Sequence, residues 1–463
     1  MNATNNSQTR LGTEPLNKLM VSMAVPGIFA QIINILYSIV DRVYIGHIDG
    51  VGTNALTGVG LTFPILILFT AFAMIVGSGG APLAAIALGK KDQDEAEKIL
   101  GTGVFLLGVF AVSLMAVFFA FKRPFLYAFG ASDSTIVFAD AYLSIYLIGS
   151  FSVLLYMGLN QFIIAQGKPV LAMVSVGIGA ILNLILDPIF IFALNLGVKG
   201  AAIATVISQT ASAIWVLSIL LNKKTSLRIK MGYVKWNWGE VKNIVSLGIS
   251  PFIMVSTDSL IGIAINRSLS LYGGDIYVGS YTILQSVFQL VQSPGLGFTQ
   301  GVQPIISYNY GAKNYARVRS TYRRMISTMF VYTFVFSLLT VVFPRFFAGL
   351  FTDEVEMINL VGEVMPIFMF GMLIFGLQAA IQPTFVALGQ AKLSLFVASF
   401  RKILLLAPLA VLLPIKWGVM GVYYAEPISD ILSVLTSTTL FLAFINKILK
   451  DEQTPVSENG GNK

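Results

Sequence analysis

The sequence contains no cysteine and a single histidine, His47. The first absence excludes disulfides and thiolate metal sites. The second excludes a histidine-built metal cluster, and a Ser-His-Asp set would have to use His47 itself. Charge is scarce: 11% of the 463 residues are Asp, Glu, Lys or Arg, against roughly a quarter in a soluble domain. There is no G-x-x-x-x-G-K-[ST] and no H-E-x-x-H, which removes two common routes to hydrolysis. The Gly-rich VGSGGAP at 76–82 sits inside an apolar run with no strand before it, so it is not a dinucleotide loop. The first fifteen residues are polar and lack a cleavable signal pattern.

What remains is apolar. Hydrophobic residues make up 56% of the chain, and they come in runs near the roughly 20 residues that cross a bilayer. The alternating short segments of a membrane β-barrel are missing. Twelve spans are predicted, near 16–45, 54–88, 97–121, 137–165, 170–194, 200–221, 244–271, 277–310, 325–344, 357–387, 393–414 and 419–446. With the N-terminus inside, 21 of the 30 Lys and Arg fall on inner segments, seven on outer ones, and Arg401 and Lys402 within the eleventh span. The positive-inside rule then places both termini in the cytoplasm of a multi-pass cell-membrane protein. Residues 1–15 and 449–463 read as disordered tails, and 223–243 as an amphipathic linker on the inner surface.

The chain repeats itself at a shift of about 222 residues. Gly79-x-x-Pro82 and Gly89 recur as Gly301-x-x-Pro304 and Gly311; AQGK at 165–168 falls on ALGQ at 387–390, and GVKG at 197–200 on GVMG at 418–421. The expected fold is therefore an all-α polytopic membrane protein. Its twelve helices form two six-helix lobes, 16–222 and 244–448. An even number of spans per lobe inserts both the same way up, related by a pseudo-two-fold along the membrane normal with a cavity between them. Such an architecture suits alternating access better than a channel.

The repeat isolates what is not shared. Asp41 falls on Asn266, and Asp187 on or next to Ala407; conversely Glu426 falls on Thr205 and Asp430 on Gln209. Folding symmetry does not require these acids. Asp187 is the only charged residue between Lys168 and Lys199, and Asn183 lies one turn away on the same face. A carboxylate in a span costs about 2.5–3.5 kcal/mol on insertion scales and marks a functional site by default. Asp41 and Asp187 are thus expected to take up a proton or cation, although Arg42 can neutralise Asp41 locally. Asp258 sits mid-span in the seventh helix. Arg401 with Glu426 and Asp430 reads as a neutralised polar network. Gln285, Gln289 and Gln292, with Phe288, share a face of the eighth span and either line a cavity or bond to neighbouring helices.

The segments VDRVYIG, NLILDPIFIF, GVKGAAIAT and GVQPIISYNYGAKN resemble the multidrug and toxic compound extrusion (MATE) family, and within it the branch of DinF and MepA. The resemblance runs from about Leu16 to Leu449. It implies a V-shaped pair of lobes that export lipophilic, often cationic, compounds in exchange for H⁺ or Na⁺. It also implies an ion site at Asp41, Asn183, Asp187 and Thr205, with Asn34, Tyr37 and Asn160 nearby, and a cavity reached by Asp258 of the seventh span. The expected partners are small lipophilic cations and membrane lipids, with no enzyme activity, no cofactor beyond the transported ion, no nucleic acid, and a monomer. The alternatives are a lipid-linked precursor flippase, which needs a cationic cavity for diphosphate, and a channel. A major facilitator is disfavoured, because the loop after the second span reads GKKDQDEAEK rather than a D-R-x-G-R motif.

Overall fold

In the computed structural model, residues 10–449 are described. Residues 1–9 and 450–463, the bulk of the expected tails, lie outside them. Among the described residues there is no strand. The long helices are α1 (Leu16–Gly46), α2 (Phe63–Gly89, led in by Gly52–Gly60), α3 (Gln93–Ala128), α4 (Ile136–Ala165), α5 (Pro169–Ala193) and α6 (Gly197–Leu221). The second lobe follows with α7 (Trp238–Gly273), α8 (Asp275–Gly311), α9 (Tyr315–Val342), α10 (Val355–Phe368 and Met372–Ala387), α11 (Ala391–Trp417) and α12 (Val419–Ile448). Ten of these are long and apolar enough to cross a membrane, and α10, bent by 51°, makes an eleventh. The remaining helix, α8, is 37 residues long but more polar, with five glutamines on it.

The lobes obey the repeat in atomic detail. Lys91 and Lys313 both take left-handed backbone conformations, at φ 62° and 58°. The next residues, Asp92 and Asn314, both cap a helix by accepting from the backbone N–H three residues on. Cross-lobe packing is reciprocal. A Cβ on Gly89 would stand 2.0 Å from the Tyr308 carbonyl oxygen, and one on Gly311 would stand 2.0 Å from that of Ile86. Gly27 of α1 meets Gly297 of α8 backbone to backbone, as Gly248 of α7 meets Ile75 of α2. Small residues let these helices approach closely, as helices do in a bilayer.

These contacts gather at one end, the end that carries the linker. There a single apolar core runs from the first lobe into the nearer half of the second, and the far half of the second lobe has its own core around Ile261, Leu284, Phe368 and Tyr423. The lobes therefore diverge as a V. A short latch reinforces the closed end. Residues 10–13 form a helical turn rather than disordered chain, and Leu11 is fully buried. The Leu11 carbonyl accepts from Asn309 Nδ2 at 2.9 Å and from Arg317 Nε at 3.1 Å, and the Glu14 carbonyl accepts from Arg317 Nη2 at 2.6 Å.

The linker is mostly irregular chain. It holds one three-residue helical turn, Met231–Tyr233, and α7 begins at Trp238 rather than near 244. Buried Glu97 of α3 pairs with Arg228 at 3.5 Å and with Lys230, and Gln166 of α4 accepts from the Leu227 N–H at 3.2 Å. Its first half is thus fastened to the first lobe.

Candidate ion and substrate site

Asp187 sits near the end of the regular part of α5, about 27 Å along the helix from Pro169 at 1.5 Å per residue. Pro188 follows it and has no N–H to offer the preceding turn. The next turn widens to a π-helix, Ile189–Ala193, in which Leu194 N–H donates to the Ile189 carbonyl at 2.9 Å. Such a break in a helix often accompanies a functional residue. Asp187 is fully buried. Asn183 Nδ2 donates to Asp187 Oδ1 at 3.1 Å, while Asp187 Oδ2 is buried without a protein hydrogen-bond partner.

Asp41, near the open end of α1, lies close enough to Asp187 for the two carboxyls to interact directly. Its Oδ1 is also buried without a protein hydrogen-bond partner. Among the described residues no ion pair joins Asp41 and Arg42: the Arg42 guanidinium lies 4.7 Å from the Phe63 ring centroid and acts on Asp41 only from a distance. Tyr37, one turn before Asp41, feels both carboxylates. Thr205 of α6 stands beside the buried Tyr142 hydroxyl of α4, which also faces Asp41. Asp41, Asn183, Asp187 and Thr205 thus meet in the open half of the first lobe, with Tyr37 among them.

Other expected residues are placed differently. Asn34 is half-buried on α1. Asn160 ties α4 to α5, accepting from Ser175 Oγ at 3.0 Å and donating to the Ala172 carbonyl. Gln285 donates to Tyr281 in its own helix and Gln292 to the Met372 sulfur at 3.9 Å. Gln289 is exposed, and Phe288 packs edge-on against Phe368 at 6.2 Å between centroids.

The second lobe holds a polar network at mid-depth. Arg401 Nε donates to Asp430 Oδ1 at 2.7 Å and Nη2 to Glu426 Oε1 at 2.9 Å, with the guanidinium 4.5 Å from the centroid of the Phe375 ring. The neighbouring Lys402 pairs with Asp258. Both cations lie on a π-helical turn of α11, Phe400–Leu406. Three acids face two bases, so one negative charge is in surplus if all are ionised. Asp258, whose side chain is 55% exposed, is the open end of the network.

Three residues not singled out from the sequence belong to these sites. Tyr142 joins the first through Thr205, and Phe375 floors the second. Gln209, one turn beyond Thr205, has a buried Oε1 without a protein partner. Only Gln209 carried a signal, as the repeat partner of Asp430. The tyrosine and phenylalanine were lost among 51 Tyr and Phe residues, 17 and 34 of each.

The MatE family profile matches residues 26–189 and 252–412, most of both lobes. The multidrug export protein MepA of Staphylococcus haemolyticus is 26% identical over 438 residues, covering 94% of this chain and 95% of that one. MepA of Staphylococcus aureus (strain MRSA252) is 24% identical over 442 residues, covering 94% and 96%. Among solved structures, a MATE in the bent conformation superposes with a TM-score of 0.90 at 22% identity, covering 97% of this chain and 100% of that one. An outward-facing multidrug resistance transporter of the MATE family superposes with a TM-score of 0.88 at 21% identity, covering 95% and 98%. With its repeated lobes, its V shape and a family match across both, the chain belongs to the MatE family of multidrug and toxic compound extrusion transporters.

Proposed function

We propose that this membrane transporter is a secondary active exporter of lipophilic, often cationic, compounds, driven by antiport with H⁺ or Na⁺. The curated relatives are multidrug export proteins. The observation that carries the coupling is the Asp41–Asp187 pair: two carboxyls close together in a low-dielectric interior, each with a buried oxygen that has no protein donor. Two carboxylates at such a distance do not both stay charged and unaccompanied; a proton or a cation relieves them. With the linker and termini in the cytoplasm, the open end of the V faces outside, and an ion arriving there meets the pair first. Each inward charge gains about 2.3 kcal/mol per 100 mV of membrane potential. Neutralising the carboxylates weakens their hold on a cationic compound and favours its release. Asp258 and the surplus charge around it offer the cation a second attraction on the other wall.

Return to the inward state requires the Gly89–Tyr308 and Gly311–Ile86 seams and the Leu11 latch to part. The flippase alternative loses support in the second lobe, where Arg401 and Lys402 are already held by Glu426, Asp430 and Asp258 and are not free for a diphosphate. The test is export of a fluorescent lipophilic cation from energised cells against its concentration gradient. Saturable uphill export supports the antiporter; passive, non-saturating flux rejects it in favour of a channel.

A further inference from the structure

A groove of about 690 Å³ opens on the outside of the first lobe, where the end of α3 meets the starts of α4 and α6. It lies at the open end of the V but on the lobe's periphery. Arg123, Tyr127, Val137, Asp140, Ile145 and Lys199 line it. Its charges are unequal. Asp140 is the one acid on the wall, and Lys122 holds it at 2.8 Å from beneath, with Ser144 tying the same ammonium. Arg123 reaches Asp140 only at 3.7 Å and is 69% exposed; Lys199 is exposed too. With Asp140 answered by Lys122, the groove keeps two positive charges. The N-terminal ends of α4 and α6, which open there, add their positive dipole ends. Val137, at the top of this face of α4, is 65% exposed, and below Asp140 and Ser144 the face becomes apolar and bare, with Ile145 on the wall and Ile148, two turns below Asp140, 70% exposed.

We propose that this groove seats an anionic phospholipid, with its phosphate between Arg123 and Lys199 and an acyl chain along the apolar face of α4 around Ile145 and Ile148. Arg123 suits this because a guanidinium matches a phosphate with two parallel N–H bonds. Cationic substrates are repelled by the same charge, so the groove is separate from the export path. It is nonetheless one helix away from the ion site. Tyr142 and Tyr146, on the opposite face of α4, are buried toward Thr205 and Asp41. A lipid seated outside α4 would brace the helix that backs the ion pair. The proposal needs only that this end of α4 lie at a membrane surface, and it does not depend on the coupling ion.

Native mass spectrometry of the purified full chain tests it, with dioleoyl-phosphatidylglycerol and dioleoyl-phosphatidylcholine added in competition. The wild type should retain the anionic lipid roughly thirtyfold better, the order expected for two cations facing a headgroup of net negative charge. The double variant R123Q/K199Q should lose that preference, the charge-preserving R123K/K199R should keep most of it, and R345Q/K416Q, which removes two cations from the same end of the second lobe, should keep it fully. Equal retention of both lipids by the wild type would overturn the proposal. So would an unchanged preference in R123Q/K199Q, an equal loss in R345Q/K416Q, or displacement of the lipid by millimolar inorganic phosphate, which would make the groove a free-phosphate site. Thermal unfolding without added lipid checks that each variant is folded.

Discussion

Asn183 donates to one oxygen of Asp187 across a single turn of α5, and the other oxygen of that carboxyl points into the protein with no donor opposite it. The amide fixes the carboxyl's orientation and uses one of its two acceptors. In the proposed scheme the free oxygen is the one that takes the coupling ion, and the carboxyl it belongs to lies beside Asp41. Asn183→Ala removes the orienting donor and leaves both oxygens buried without one, at a cost of about 1–3 kcal/mol. Export should fall about tenfold at saturating substrate, while Asn183→Asp, which adds a third acid, should shift the pH at which export is half-maximal. Initial efflux rates across a pH series read both.

The network in the second lobe should behave as a buried ion cluster. Arg401 is 2% exposed and its two carboxylate partners are 5% and 0% exposed. Arg401→Met strands both acids, and breaking such a pair typically costs about 3–5 kcal/mol. The melting temperature should drop clearly in R401M and recover in the triple variant R401M/E426Q/D430N, which removes the stranded charges together. A triple variant less stable than R401M would show that the charges are not what couples these positions.

The reciprocal glycine seams predict equivalent effects at positions 222 residues apart. Gly89→Ala and Gly311→Ala each place a methyl group within 2.0 Å of a carbonyl oxygen across the lobe boundary. Either should push the linker end apart and raise the inward-open population by a comparable amount, and Gly60→Ala, in open space, should not. Spin-label distances between the linker-side ends of α2 and α8 measure the shift.

The latch makes a related prediction with a different chemistry. Arg317 supplies two charge-assisted bonds to the backbone of residues 11 and 14, each of a kind worth about 1.5–3 kcal/mol. Arg317→Ala should loosen the closed end and increase the aqueous accessibility of a cysteine placed at Leu11. Since the chain has no native cysteine, single-cysteine labelling also tests orientation: Gly232→Cys should react only from the cytoplasmic side and Gly130→Cys only from outside.

The lobes were legible because glycine and proline at fixed intervals survive duplication: the closed seams require those glycines whatever else diverges. Asp187 was legible because hydrocarbon makes a lone acid conspicuous, and Asn183 because helical spacing is local. The partner of Arg401 is set by how α11 lies against α12, and that of Lys402 by how α11 lies against α7, so the sequence offered candidates but not the pairing that separates Asp258–Lys402 from Arg401–Glu426–Asp430. Local reasoning failed where a nearer partner existed in sequence but not in space. Arg42 adjoins Asp41, yet adjacent residues on a helix point about 100° apart, and the guanidinium turns to Phe63. The latch was read as tail because Arg10, Gly12 and Glu14 around Leu11 carry no apolar period; its order comes from Asn309 and Arg317, some 300 residues away.

The most direct measurement of the central claim is uptake of a fluorescent lipophilic cation into proteoliposomes, with H⁺ and Na⁺ gradients imposed separately, for the wild type and for Asp187→Asn. The expected result is that wild-type transport follows one of the two gradients, naming the ion, and that the variant is at least about tenfold slower, the equivalent of ~1.4 kcal/mol, and follows neither. Gradient-driven transport by Asp187→Asn at the wild-type rate would contradict it, and would make Asp187 a structural acid with coupling seated elsewhere.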